Sequence, residues 1–146
     1  MHTALMREKG GFIDATSADL SAFKARGGKL LLYHGWNDQL IPPENTVSYY
    51  SSVLGKMGRG QENWLRLFMA PGMQHCAGGP GPDQFNTVAA IERWRESGIA
   101  PQNIMASHVT ANRVEMTRPL CPYPQVAIWD GTGSTNDAAN FVCKKP

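Results

Sequence analysis

The sequence lacks a surplus of either charge, a long apolar run and an even number of cysteines, and each lack excludes something. With 14 Lys+Arg against 12 Asp+Glu in 146 residues, the formal net charge is +2, too weak a field for a dedicated nucleic-acid binder. No run of about 18 apolar residues exists to cross a membrane. The N-terminal stretch MHTALMREKGGFIDAT also lacks the roughly 7–15-residue apolar core of a signal peptide, so no export of this chain is expected from it. Cys76, Cys121 and Cys143 are an odd set, which leaves one thiol free or a partner missing. They form no CxxC or HxxxH cluster, so no metal site is expected.

What is present fits a soluble globular chain: 42% hydrophobic residues, 18% charged residues and a mean hydropathy of -0.34. Residues 1–13 read as a poorly defined lead-in. Asp19 is placed to cap a short turn carrying Leu20 and Phe23, which Gly27-Gly28 stop. The run Lys29-Leu30-Leu31-Leu32-Tyr33 is continuous and apolar, as in a strand buried on both faces of a parallel sheet. Pro42 and Pro43 suit a helix's first turn, and Val47, Tyr50 and Leu54 form its apolar face as far as Gly55. WLRLFM at 64–69 reads as a second strand, broken by Pro71-Gly72 before a loop reaching Pro82. Asp83 is then the expected N-cap of a helix carrying Phe85, Val88, Ile91 and Trp94, with Gly98 as its stop. From Ile104 onward, IMASHV is β-like and the rest shows no helical period, so an extended wrap is expected.

Two parallel strands joined through a helix send their following loops out at one sheet edge. The first loop carries Asp38 in Gly35-x-x-Asp38-x-x-Ile41-Pro42, and the second carries His75 in Pro71-Gly72-Met73-Gln74-His75. A carboxylate that orients an imidazole, leaving the other ring nitrogen to take a proton from a nucleophile, is the acid–base half of a hydrolase. The spacing alone fits equally an aspartate capping its own turn and a loop histidine bonded to backbone. His34 is expected to be satisfied by backbone, His2 and His108 carry no motif, and Tyr49, Tyr50 and Trp94 read as core. Trp36, between Gly35 and Asp38, suits either an aromatic-substrate contact or packing over the loop. The cluster Gly78 to Pro82 lacks the Lys-Ser/Thr of a phosphate loop and reads as a tight turn presenting His75.

HGWNDQLIPP, PGMQHCAGGPGPD and PLCPYPQVAIWDGTGSTNDAANFVC together resemble the C-terminal part of the tannase and feruloyl esterase family, from about Asp14 through Cys143. The resemblance implies a partial α/β-hydrolase fold: the C-terminal strands and helices of a parallel sheet, followed by an extended, disulfide-tied tail, with residues 1–146 one such portion. It implies a carboxylic ester hydrolase acting on aromatic acid esters, galloyl or feruloyl, through a Ser-His-Asp triad whose acid and base fall on Asp38 and His75. It pairs Cys121 with Cys143, and it pairs Cys76 with a cysteine beside the nucleophilic serine.

The serine is the departure. A nucleophile elbow reads Gly-x-Ser-x-Gly, and Ser134 in GTGSTND has the wrong flanks and follows both partners in chain order. The serine, the oxyanion donors and the substrate lid with its calcium site are therefore expected upstream, and the chain is expected to be inactive alone and to need no cofactor of its own. Its partners would be a small aromatic ester and the N-terminal serine-bearing part of the same fold, with no nucleic acid or membrane. Secretion or a periplasmic location is implied for the full-length family member, whereas in a cytosol Cys121 and Cys143 would stay reduced. Two other readings stand beside this one: a subunit or remnant that complements a serine-bearing partner, and a non-catalytic module that binds aromatic ligands.

Overall fold

Alternating side chains on two short strands divide the core into two. The computed structural model describes residues 15–146; the lead-in at 1–13 and His2 fall outside that range. Its elements are α1 (Ser21–Ala25), β1 (Leu30–Gly35), α2 (Pro43–Met57), β2 (Leu65–Ala70), α3 (Thr87–Ser97), β3 (Ile104–Thr110), β4 (Arg113–Leu120), β5 (Val126–Trp129), a 3-10 turn (Ala138–Asn140) and β6 (Phe141–Lys144). β1 and β2 pair in parallel, from Leu30 opposite Leu65 to Gly35 opposite Ala70. Because strand residues alternate between faces, Leu65, Leu67 and Met69 join Tyr50 and Val53 of α2 in one cluster. Phe68 and Ala70 join Ala90 of α3 and Ile104, Ala106 and Leu120 of the tail in the other. Helices and hairpin thus cover both faces of the sheet, which is why Leu30–Leu32 and Leu67–Ala70 read as apolar runs.

β2 is buried almost throughout, but β1 is only half-buried and Tyr33 is exposed. The second edge of β2 is covered by the segment after β4, where Tyr123 N–H donates to Leu67 O at 2.8 Å and Pro122 bridges Phe68. Among the described residues, no strand pairs with the other edge of β1. An apolar run with one neighbouring strand cannot be enclosed on every side, so the full burial expected for residues 29–33 is not reached.

Three further expectations are corrected. α2 runs past Gly55 to Met57, because Met57 still packs on the core and this contact outweighs the cost, about 1 kcal/mol, of a helical glycine. α3 is capped by Asn86, whose Oδ1 accepts from Ala89 N at 2.8 Å, and not by Asp83, whose carboxylate accepts from Gly78 N at 2.7 Å. The tail is two antiparallel hairpins, β3–β4 and β5–β6, instead of an extended wrap. Ala111 and Asn112 turn the first hairpin with φ of 50° and 61°, the doubly left-handed turn that matches strand twist but most often carries Asn-Gly. Cys121, directly after β4, is bonded to Cys143 in β6, with Cα atoms 5.5 Å apart.

Candidate active site

The parallel register delivers both loops to one edge. Beyond Gly35 and Ala70 the ladder continues by one bond, Trp36 N–H to Ala70 O at 2.9 Å, and Asn37 N–H then donates to Met73 O at 3.0 Å, lacing the first loop to the second. Gly35 allows this approach: a Cβ there would lie 2.1 Å from Met73 O. The second loop folds back on itself at Gly79 and Gly81, where a Cβ would lie 2.1 Å from Gly72 O and 1.9 Å from Pro71 O. Gln74 N–H closes the turn on Gly78 O at 3.0 Å. The glycine–proline cluster is therefore a tight turn carrying His75.

At this edge His75 Nδ1 lies 2.8 Å from Asp38 Oδ2. The Asp38 side chain is 3% exposed and that of His75 41% exposed. Burial of Asp38 works against its charge, but the N–H groups of Ile41 and Leu40, 2.9 and 2.8 Å from Oδ1, together with the two imidazoles on Oδ2, hold its carboxyl well below the usual carboxylate range. An ionised carboxylate only accepts, so the ring nitrogen facing it is an N–H. Nδ1 of His75 is therefore an N–H, and its Nε2 makes no hydrogen bond among the described residues. The pair opens on a cavity of about 230 Å³ walled by Tyr33, His34, Ile41 and Cys76 as well.

His34 is placed differently from expectation. It lies within β1, and side chains rather than backbone satisfy it: Nε2 is 2.9 Å from Asp38 Oδ2 and Nδ1 is 2.7 Å from Thr46 Oγ1, in the first turns of α2. The signal in the sequence was the spacing of four between His34 and Asp38, which the turn after Gly35 folds back on itself. Thr46 carried no signal beyond being polar at the start of an amphipathic helix.

Cys76 is an exposed free thiol next to His75, with φ of 62°. Trp36 does not line the cavity of Asp38 and His75; it lines a larger neighbouring one, of about 650 Å³, with Met69, Met116, Arg118 and Tyr123. The hydroxyl of Ser134 accepts from Asn136 N–H within the tail. His108 bonds Gly81 O at 3.0 Å and so steadies the glycine loop. Tyr50 and Trp94 are buried, and Tyr49 is half-buried against the same core. Among the described residues, no group of three or more His, Cys, Asp or Glu could hold a metal ion, and no helix is long and apolar enough to cross a membrane.

Comparison with known proteins bears on this edge. The family model described as tannase and feruloyl esterase matches residues 1–144. An esterase of Xanthomonas campestris is 43% identical over 163 residues, covering 90% of this chain and 28% of the relative. Mono(2-hydroxyethyl) terephthalate hydrolase of Piscinibacter sakaiensis is 46% identical over 135 residues, covering 90% of this chain and 22% of the relative. The crystal structure of an esterase from Aspergillus oryzae superposes with a TM-score of 0.81 at 35% identity, over 88% of this chain and 29% of the other. The chain thus spans between a fifth and a third of the length of the relatives it matches. With its sequence matched almost end to end, this chain belongs to the tannase and feruloyl esterase family.

Proposed function

We propose that this chain carries the acid and the general base of a serine carboxylic ester hydrolase acting on aromatic acid esters, within a partial α/β-hydrolase fold. The observation that carries the reading is the 2.8 Å contact between His75 Nδ1 and Asp38 Oδ2, which leaves Nε2 of His75 as an accessible base. Asp38 holds the ring orientation and stabilises the imidazolium. His75 takes the proton of a serine hydroxyl as that oxygen attacks the ester carbonyl. It then returns the proton to the departing alcohol, and the same exchange with water releases the acid.

The nucleophile is assigned to a serine outside these residues, since Ser134 is committed within the tail and no elbow motif exists. The half-open β1 supports that assignment, because a strand edge of this kind pairs readily with further chain of the same fold. On this reading the free thiol of Cys76 pairs with a cysteine beside that serine. A secreted or periplasmic setting is part of this reading, supported by the Cys121–Cys143 bond, which oxidising compartments maintain. The family's relatives, a terephthalate monoester hydrolase and probable feruloyl esterases among them, support an aromatic acyl group. Trp36, in the acid loop but outside the cavity of Asp38 and His75, is the candidate aromatic contact for such a group on this reading.

The test is hydrolysis of methyl gallate, methyl ferulate and a p-nitrophenyl ester by the purified chain beside its His75→Ala form. No turnover above the His75→Ala control is expected. Turnover that the substitution abolishes would mean that the chain holds its own nucleophile, and the assignment of the serine elsewhere would fall.

A further inference from the structure

One carboxylate oxygen serves two imidazoles. Asp38 Oδ2 lies 2.9 Å from His34 Nε2 and 2.8 Å from His75 Nδ1, while Oδ1 receives the N–H groups of Leu40 and Ile41. Every face of the carboxylate is thereby occupied, in a side chain that is 3% exposed. Both nitrogens that face Oδ2 must be N–H groups, because an ionised carboxylate cannot donate. His34 with its proton on Nε2 presents an unprotonated Nδ1 to Thr46, whose hydroxyl, 2.7 Å away, donates to it. The donors all run toward Asp38: Thr46 to His34, His34 to Oδ2, and His75 to the same oxygen.

From this arrangement we propose that His34, held by Thr46, is a positioning residue. It fixes the rotation of the Asp38 carboxylate and, through it, the Nδ1–H form of His75. This rests on reading Asp38 and His75 as the acid and base. His34 does not reach the reacting atoms through any bond of its own; both of its ring nitrogens are engaged. Its side chain is 12% exposed, so a substitution that removes the donor leaves Oδ2 short of a partner where water enters poorly. Oδ1 stays on Leu40 and Ile41, but Oδ2 keeps only His75, so its position is less closely fixed and the imidazole of His75 is held less firmly in its Nδ1–H form. Helix α2 supplies the fixed end of the device: Thr46 lies one turn from Pro43, on a helix anchored through Tyr50 and Val53.

The test uses the full chain, labelled with 15N at histidine, and reads the protonated nitrogen of each imidazole by NMR at about pH 8, above the ordinary histidine value. In the unmodified chain His75 is expected as Nδ1–H and His34 as Nε2–H. His34→Leu removes the donor, so the Nε2–H form of His75 is expected to appear and exchange of its Nδ1–H to quicken about tenfold or more, as for a lost hydrogen bond to a charged group. His34→Gln places an amide N–H near the same spot and is expected to restore the Nδ1–H form. Thr46→Val is expected to act in the same direction as His34→Leu by less, and Thr46→Ser to leave His75 unchanged. An unaltered His75 in a folded His34→Leu chain overturns the proposal. Should that chain not fold, an unaltered His75 in Thr46→Val overturns it. A His75 found as Nε2–H in the unmodified chain overturns the acid–base reading itself, so the two failures are distinguishable.

Discussion

Asp38 and His75 stand 37 positions apart in the sequence and 2.8 Å apart at Oδ2 and Nδ1. The distance is closed by the parallel register of β1 and β2, which sets Gly35 opposite Ala70 and releases both loops at one edge. The contact is therefore as stable as the strand ends beneath it, and substitutions that part those ends act on the site without touching either side chain.

Gly35→Ala is such a substitution. Its Cβ would come within 2.1 Å of Met73 O, a backbone atom that cannot swing aside. The strand ends must separate, at a cost of about 1–3 kcal/mol for overpacking, and the Asn37-to-Met73 bond goes with them. A lower denaturant midpoint together with loss of the Nδ1–H signal of His75 is the expected outcome; a variant with both unchanged would show that the loops are not laced at this point.

The pH dependence of stability follows from Asp38. Its folded carboxyl is held below the ordinary value of 3.8, so the stabilisation it contributes is fully present above that value and is lost as the pH falls below it. Asp38→Asn is accordingly expected to be less stable than the unmodified chain at neutral pH, with the gap narrowing below pH 3.8. Denaturant midpoints of both chains across this range are the check, and a constant gap would contradict it.

Reducing the Cys121–Cys143 bond, with its separation of 22 residues, is expected to lower stability by about 3 kcal/mol in the chain-entropy account. Paired substitution of both cysteines by alanine, compared with Cys76→Ala alone, separates that effect from any chemistry of the free thiol. Equal stability of all three chains would show that the tail hairpins stand without the bond.

The core makes a separate statement. Phe68 is fully buried between α3 and the β3–β4 hairpin, and Phe68→Ala is expected to cost about 3–5 kcal/mol by calorimetry or denaturant melts. A cost under about 1 kcal/mol, the level of a surface change, would contradict the two-cluster core described for this sheet.

The parallel pair, its two helices and the meeting of the acid and histidine loops were legible because each rests on local pattern: apolar runs bounded by glycine, a 3.6 period, and loops that share an edge. The tail was not legible, since its first hairpin turns on Ala111-Asn112 without the expected glycine. Its strands also alternate weakly, as β4 shows with Val114 exposed and Leu120 buried. The cap of α3 lies three residues beyond the expected Asp83 because Asp83 and Asn86 are both able caps and only the loop geometry commits Asp83 to Gly78. His34 departs from expectation for the same kind of reason. Its partners Asp38 and Thr46 are four and twelve residues on, and which of them a strand-end histidine meets depends on how the loop and helix return to it.

The central claim, that Asp38 and His75 are the acid and base of an ester hydrolase, is tested most directly by giving them a serine. Residues 15–146, put in place of the matching segment of the Aspergillus oryzae esterase, whose remaining chain supplies the serine on this reading, are expected to hydrolyse methyl ferulate or methyl gallate. In that joined protein His75→Ala is expected to lower kcat by about 10⁶-fold and Asp38→Asn by about 10⁴-fold, as for loss of the base and the acid of a triad. A joined protein that turns over substrate equally well with His75 replaced by alanine would contradict the account.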